Sequence, residues 1–557
     1  MNCRNLVLSI IVGGALTVAL LFGFGLSHDA VMASEQSGDV VEPVTSEGAI
    51  APRDAISTAY VVVRFSDAES IVRPVTFTEP ITAYTALQRT GLELDILDMG
   101  WGLLVCGIDG VGESLPDESD CDNGTRFWGT SYWSGDAWVG RMVGIAGAWI
   151  TETGHVEGFS FSNPGWAAVD PPAAPPLTAA SDALEWLRGQ QKTDGSFGTM
   201  NDTAEVLMAV GANRWDASDW RTSPSLLANV ISEGPEFANR NAAGAGKLAA
   251  ALTRQEACWP IGAKTPLDHY HPISSTFSRD TLYQAWGVLG AATLSETIPT
   301  PGVEALKDNQ QPDGGWELFV GFGSDTNSTA LAIQALLAAG EPLTSTGVVS
   351  GLAYLDNAQN EDGGFPYSPD SPWGTDSDAN STAYVVQSLI AAGEDPLGAR
   401  WTAAEGDPIS YLLDMQLPDG SFEWQEGYGS NQMATRQSVL ALLGRPFPLS
   451  VGTMPDCYGI AGHVTSDVGE GGKSPLTGVA MEAEGAEDVF VDTTDATGAY
   501  TISVPAKGTF ELTPHWEGFT FSPPFRAVEV SGTPGDVLSD VDFSGVLRSY
   551  LPVVMRG

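Results

Sequence analysis

A chain of 557 residues exceeds what one hydrophobic core organises, so about two to four domains are expected. Hydrophobic residues at 43% and charged residues at 17% suit packed globular domains and exclude a disordered chain. The 70 acidic residues against 25 basic ones give a net charge of −45, spread along the chain; this repels polyanions and excludes nucleic acid and anionic lipid as partners.

The N-terminus carries Arg4, an apolar run from Leu6 to Leu26, and Val31-Met32-Ala33 before Ser34. A positive start, an apolar stretch and small residues at a cut describe a secretory signal over residues 1–33, cleaved between Ala33 and Ser34. An uncleaved anchor is the alternative, because the run is long enough to span a bilayer. Either predicts a secreted or cell-surface protein. Residues 34–56 read as an acidic linker.

Residues 57–168 read as a small β-rich domain, with strands at Tyr60–Phe65 and Val72–Phe77 and a short helix at Ala83–Arg89. Trp128, Tyr132, Trp133 and Trp138 follow; core packing is their plain role, and Trp133 and Trp138 are the candidates for a ligand face. Cys106 and Cys121 lie in this domain, and export predicts a disulfide between them. Cys258 and Cys457 stay open between buried free thiols and a second bridge. The Asp117–Asp122 cluster lacks the spaced ligands of an EF-hand and reads as a solvated loop. Residues 169–176, rich in proline, read as a stiff linker.

Residues 177–446 repeat. Gln-x-x-Asp-Gly-(Gly/Ser)-(Phe/Trp) occurs at Gln191–Phe197, Gln310–Trp316, Gln359–Phe365 and Gln416–Phe422, with a degenerate copy at Gln255–Trp259. Their starts are separated by 64, 55, 49 and 57 residues, a period of two helices and two loops. Ser324–Glu341 and Ser377–Glu394 are the clearest internal match, aligned without a gap at an offset of 53. Both are apolar nearly all round, start in an Asp/Asn/Ser/Thr cluster and end at Gly340 or Gly393, which predicts buried inner helices. Such pairs close into an all-α α/α-toroid whose inner-helix ends surround a shallow mouth. After a linker at 447–456, alternation of apolar and polar residues over 457–545 predicts a β-sandwich, with strands at Gly459–Val464, Val479–Ala483, Val489–Thr493, Ala499–Val504 and Thr509–Thr513. Residues 546–557 form a tail. The expected fold is thus a toroid flanked by an N-terminal β-rich domain and a C-terminal sandwich.

The Gln-x-x-Asp-Gly-Gly-Trp repeats resemble those of the prenyltransferase and squalene-cyclase family, over about half the chain. That fold serves several functions, so the sites must decide. Class II terpene cyclases in this family use Asp-x-Asp-Asp-Thr-Ala, whose middle acid protonates the substrate. The matching segments are Asp325-Thr-Asn-Ser-Thr-Ala330 and Asp378-Ala-Asn-Ser-Thr-Ala383. Asn327 and Asn380 stand where the acid belongs, and an amide cannot donate that proton. The Asp/Cys/His zinc site of protein prenyltransferases is missing too, as is the thioester motif of complement-type relatives. No catalytic residue, metal or required cofactor is therefore predicted.

The 57–168 segment resembles the transcobalamin-like C-terminal domain, a β-grasp-type module that closes over a corrinoid at a toroid mouth in animal cobalamin carriers. Ser328–Leu336 is similar to the carriers' inner helix. The resemblance implies corrinoid contacts from Asp325, repeated at Asp378, with Asp280-Thr281 a looser match. The 457–545 segment resembles the transthyretin-like regulatory domain of carboxypeptidases, and Tyr550–Arg556 resembles short attachment tails of secreted bacterial proteins. Asn327 and Asn380 complete the candidate rim, although N-capping alone accounts for acids at helix starts. Capping also explains the Asn-x-Thr triplets at Asn201, Asn327 and Asn380, leaving Asn123 as a plain glycosylation acceptor.

Two functions follow. One is an extracellular, non-catalytic binder of a small molecule, in the first place a corrinoid clasped between toroid and β-rich domain. The other is a surface glycan-binding or lyase-like protein, with Tyr270, His271 and Arg279 as its local base and neutralising groups; a cell-surface scaffold without ligand stands third. His269 and His271 offer metal ligands, with an exposed loop as the plain alternative.

Overall fold

The computed structural model describes residues 56–100, 102–112, 126–163, 168–220, 223–255, 257–372, 374–467 and 473–547. The expected signal, its cut at Ala33–Ser34, the acidic linker, the Asp117–Asp122 loop, Cys121, Asn123 and the attachment tail lie outside the described residues. No helix among the described residues is long and apolar enough to cross a membrane.

Helix α1 (Ala83–Gln88) belongs to the N-terminal module. The toroid contains α2 (Ala174–Arg188), α3 (Met200–Ala212), α4 (Leu226–Arg240), α5 (Ala242–Leu252), α6 (Thr281–Thr293) and α7 (Thr300–Asp308). It continues with α8 (Thr326–Ala338), α9 (Thr346–Ala358), α10 (Ala379–Ala391), α11 (Pro408–Asp414) and α12 (Gln432–Leu442). The prolines at 175 and 176 do not form a spacer, as the linker reading has it. They occupy the first turn of α2, where a missing N–H costs nothing and the fixed φ suits a helix.

Helices α3, α5, α6, α8, α10 and α12 pack neighbour to neighbour into a closed inner ring, α12 returning to α3. Every residue of α5 is buried, and small residues let it lie against α6. A Cβ on Gly246 would meet the Trp286 carbonyl at 2.1 Å, so only glycine permits that approach.

The repeat motif is a staple between adjacent repeats. The Gln amide donates to the turn carbonyl of its own motif and to a carbonyl of the next outer segment: Gln310 to Gly314 and Gly347, Gln359 to Gly363 and Trp401. Gln416 does the same to Gly420 and, at 2.9 Å, to Ala179 in α2, which seals the last repeat to the first. The motif aspartate caps its own turn, as Asp313 does for Gly315. The motif aromatic is buried, its N–H held by a threonine of the following inner helix, as in Trp316 to Thr329 and Phe422 to Thr435.

In the N-terminal module, strand Ser57–Ser66 pairs antiparallel with Glu69–Phe77 and parallel with Val156–Phe161. One sheet face covers the module's own core. The other docks on the toroid at the C-terminal ends of the inner helices. Glu69 meets Arg214 just past α3, Arg254 just past α5 and Arg445 just past α12. Burial opposes its charge, but the bonds from Arg214 and Arg254 outweigh that and hold the carboxyl at about 2. Arg73 donates to the Asn213 and Arg214 carbonyls. Arginines concentrate here, in a strongly acidic chain, because several helix C-termini converge with partial negative charge.

The C-terminal region forms two sheets with a shared core. One contains Tyr458–Asp467, Ala499–Val504 and Phe543–Leu547; the other contains Ala480–Glu484, Val489–Thr493 and Gly508–His515. It lies along α4, with the Val491 N–H donating to Ser232 and the Ser225 N–H to Asp488. Cys258 and Cys457 form a disulfide, which resolves the two alternatives in favour of a bridge from toroid to sheet region. Cys106 is disulfide-bonded.

Candidate functional site

All six inner helices start at the end of the toroid opposite the N-terminal module. Thr199, Asn241, Asp325, Asp378 and Asn431 cap five of them through side-chain oxygens. Asp280 occupies the cap position of α6 without making that bond. Its carboxyl is instead raised by partial burial, eased by the Val320 N–H of the neighbouring loop.

The ring can be followed inward layer by layer, because each helix presents equivalent positions to the axis. Two residues past the caps stand Asn201, Ala243, Leu282, Asn327, Asn380 and Met433. Six residues past the caps, about 9 Å deeper at 1.5 Å per residue, stand Glu205, Lys247, Trp286, Leu331, Tyr384 and Gln437. Glu205 accepts from Lys247 at 2.6 Å, from Arg436 at 2.8 Å and from Gln437 at 3.2 Å. Arg436 also reaches Asp202 at 2.6 Å, and Lys247 reaches Asn201 at 2.7 Å. Burial disfavours the Glu205 charge, yet Lys247 and Arg436 together hold its carboxyl at about 2. Two acids and two bases balance, so this floor is neutral.

Tyr384 faces the same network and is partly exposed. Burial first, and then the charge of Glu205, push its phenol up, so it keeps its proton and cannot serve as a base. On the far side of the floor the chain plugs its own toroid. The segment after α12 folds back, the Phe447 N–H donates to Gln334 at 2.8 Å, and the Phe447 ring meets Trp286 edge-on at 5.0 Å. The toroid axis is thus filled at the floor by the ion-pair network and beyond it by Phe447.

Around the axis α3, α5, α10 and α12 supply charges and amides and α8 adds Asn327, while Leu282, Trp286 and Leu331 of α6 and α8 are apolar. Above the apolar side rise Phe319 and Phe322, in contact at 5.9 Å, with Tyr283 beside them. Phe322 is 56% exposed, and Tyr428, on the loop before α12, is 72% exposed.

The expected rim residues are used differently from what the sequence suggests. Asp325 and Asp378 are buried caps, their Oδ1 atoms taken by Ser328 and Ser381 N–H groups at 2.7 and 2.8 Å. Burial pushes Asp325 up to about 7 and Asp378 to about 6, against the pull of those bonds. Asn380 donates to Gln437 at 2.9 Å. Asn327 keeps a buried Oδ1 with no partner in the protein. Trp133 and Trp138 pack edge-on at 5.4 Å, and Trp138 donates to the Pro172 carbonyl at 2.9 Å, so they hold the entry to α2 rather than offer a ligand face. Tyr270 packs on Phe277, and His271 is exposed beside a surface cavity of about 140 Å³ shared with Arg240 and His269. His269 is bonded to the Ala238 carbonyl at 2.7 Å. Sequence reasoning missed Glu205, Lys247, Tyr384 and Arg436. The signal was a lone charge inside an otherwise apolar helix, plainest at Lys247.

Residues 277–436, from just before α6 into α12, match the family model of the squalene-hopene cyclase C-terminal domain. Over 127 residues the chain is 30% identical to drimenyl diphosphate synthase of Streptantibioticus cattleyicolor, covering 23% of this chain and 22% of that protein. The chain thus spans less than a quarter of the curated relative it matches. Among solved structures it is similar to the type II terpene cyclase MstE from Scytonema, at 16% identity and a TM-score of 0.37, over 49% of this chain and 98% of that one. It is also similar to a protein from Actinoplanes, at 18% identity and a TM-score of 0.34, over 48% and 98%. The family match and the closed helix ring define a cyclase-like α/α-toroid.

Proposed function

We propose that this protein is an extracellular, non-catalytic binding protein, a cyclase-like toroid that presents its open mouth to a small ligand. The observation that carries the reading is the blind, charge-balanced floor of Glu205, Asp202, Lys247 and Arg436 at the centre of the ring. A polyene needs an apolar cavity of about 300–1,000 Å³ to fold in. Here that axis is taken by ion pairs from one side and by Phe447 from the other. Asn327 and Asn380 stand at the positions of the cyclase acid, and an amide cannot donate that proton. The Cys258–Cys457 disulfide supports an oxidising compartment.

A corrinoid clasped between rim and N-terminal module does not fit this arrangement. The module docks at the C-terminal ends of the inner helices, while Asp280, Asp325 and Asp378 stand at the N-terminal ends. Incubation with squalene or geranylgeranyl diphosphate is expected to give no cyclised product above a boiled control; product would refute the assignment. A thermal-shift screen of small molecules, with Asn327→Leu as control, tests the mouth. Stabilisation by any ligand that this variant leaves unchanged argues against the mouth as the binding face.

A further inference from the structure

The C-terminal region leaves one corner of its core uncovered. Strand Phe519–Ser522 pairs with Phe543–Leu547 on one side and, among the described residues, with no strand on the other. Sheet edges of this kind are ordinarily guarded by a charge or a covering element, because their outward N–H and C=O groups invite another strand. Phe-Thr-Phe-Ser carries no charge, and its surroundings are aromatic. Trp516 stacks on Phe519 at 4.6 Å, Phe519 lies 6.4 Å from Phe521, and both phenylalanines pack on the core while staying partly exposed. Trp516 is 38% exposed, Phe525 50% and Leu547 65%.

We infer that Tyr550–Met555 of the same chain, which lie outside the described residues, dock on this corner as the next strand, parallel to Phe519–Ser522. Three features select this occupant. Leu547 ends its strand opposite Phe519, and the position beyond Phe519–Ser522 is two strand spacings away, about 10 Å. The three residue steps from Leu547 to Tyr550 cover about 10 Å when extended. Tyr-Leu-Pro-Val-Val-Met is apolar on both alternating faces, so whichever set turns inward covers the aromatic row, while Pro552 suits a strand that becomes the new edge. Arg548 and Arg556 bracket that run, and residues 457–547 carry 14 acidic side chains against three basic ones, which draws the segment to this surface. The segment then closes the core instead of standing free as an attachment tail.

Amide exchange read by mass spectrometry tests this on the full chain, on a deletion of residues 548–557, and on the double variant Val553→Asp with Val554→Asp. Loss or charging of the segment is expected to speed exchange over residues 516–525 at least tenfold, with the toroid helices unchanged. A synthetic peptide of residues 548–557, added to the deleted chain, is expected to restore the protection. If the deletion loosens the whole C-terminal region, that rescue decides: recovery over 516–525 supports the inference and its failure overturns it. Equal exchange over 516–525 in all three chains overturns it. Protection that fades on dilution, with a dimer in light scattering, assigns the strand to a second copy and overturns docking within one chain. An intact mass lacking residues 548–557 in the natively produced protein overturns it too, in favour of a removable attachment signal.

Discussion

Asp325→Asn isolates the cost of burying a carboxyl at a helix start. Asp325 is 1% exposed, and burial raises its carboxyl from 3.8 to about 7. Between those values the folded chain holds a proton that the unfolded chain has released, so stability falls as pH rises from about 4 to about 7 and is level above. At about 1.36 kcal/mol per unit, the rise corresponds to about 4 kcal/mol. Asparagine still accepts the Ser328 N–H and has no proton to lose. The variant should therefore match wild type within about 1 kcal/mol near pH 4 and exceed it by about 2–4 kcal/mol at pH 8. Urea denaturation at pH 4.5, 6.0, 7.5 and 8.5, following the toroid's transition, reads the difference. Equal pH slopes in the two proteins would refute the reasoning.

Glu205→Gln leaves Arg436 with Asp202 as its acidic partner and takes the carboxylate from Lys247, and should cost about 3–5 kcal/mol; pairing it with Lys247→Met should recover part of that in chemical denaturation. Because the Glu205 carboxyl is lowered to about 2, its contribution is present above pH 4.5 and is lost as pH falls through about 2. Gln416→Ala removes the bond to Ala179 and should speed amide exchange in α2 and α11, at a cost of about 1–3 kcal/mol. Phe447→Ala empties the plug and should cost about 3–5 kcal/mol, with Phe447→Leu losing much less, by calorimetry.

The helices of the toroid were legible because each carries its own punctuation: a capping cluster, an apolar run and a closing glycine, as in Ser324–Glu341. The glutamine and aspartate of the repeat pointed to a turn but not to the partner carbonyls, which lie some forty residues ahead. The floor was hidden for a related reason. Glu205 and Arg436 belong to the first and last inner helices, and only closure of the ring makes them neighbours. The sequence did place acids at the mouth, yet capping and depth, rather than identity, determine whether Asp325 meets a ligand. Pro175 and Pro176 misled because the same dipeptide suits a rigid spacer and the first turn of a helix.

The bond from Gln416 to Ala179 makes the toroid a circle, not a stack. An open solenoid gains stability as each repeat is added, and its ends need only polar caps. A circle completes its core only when its last repeat meets its first, so contacts of very long sequence separation must form late. During synthesis the early helices wait with apolar flanks uncovered, α2 above all, until α12 and the segment carrying Phe447 have emerged. A polypeptide cut before Gln416 would then be an unsealed ring, prone to associate with other copies through the same flanks.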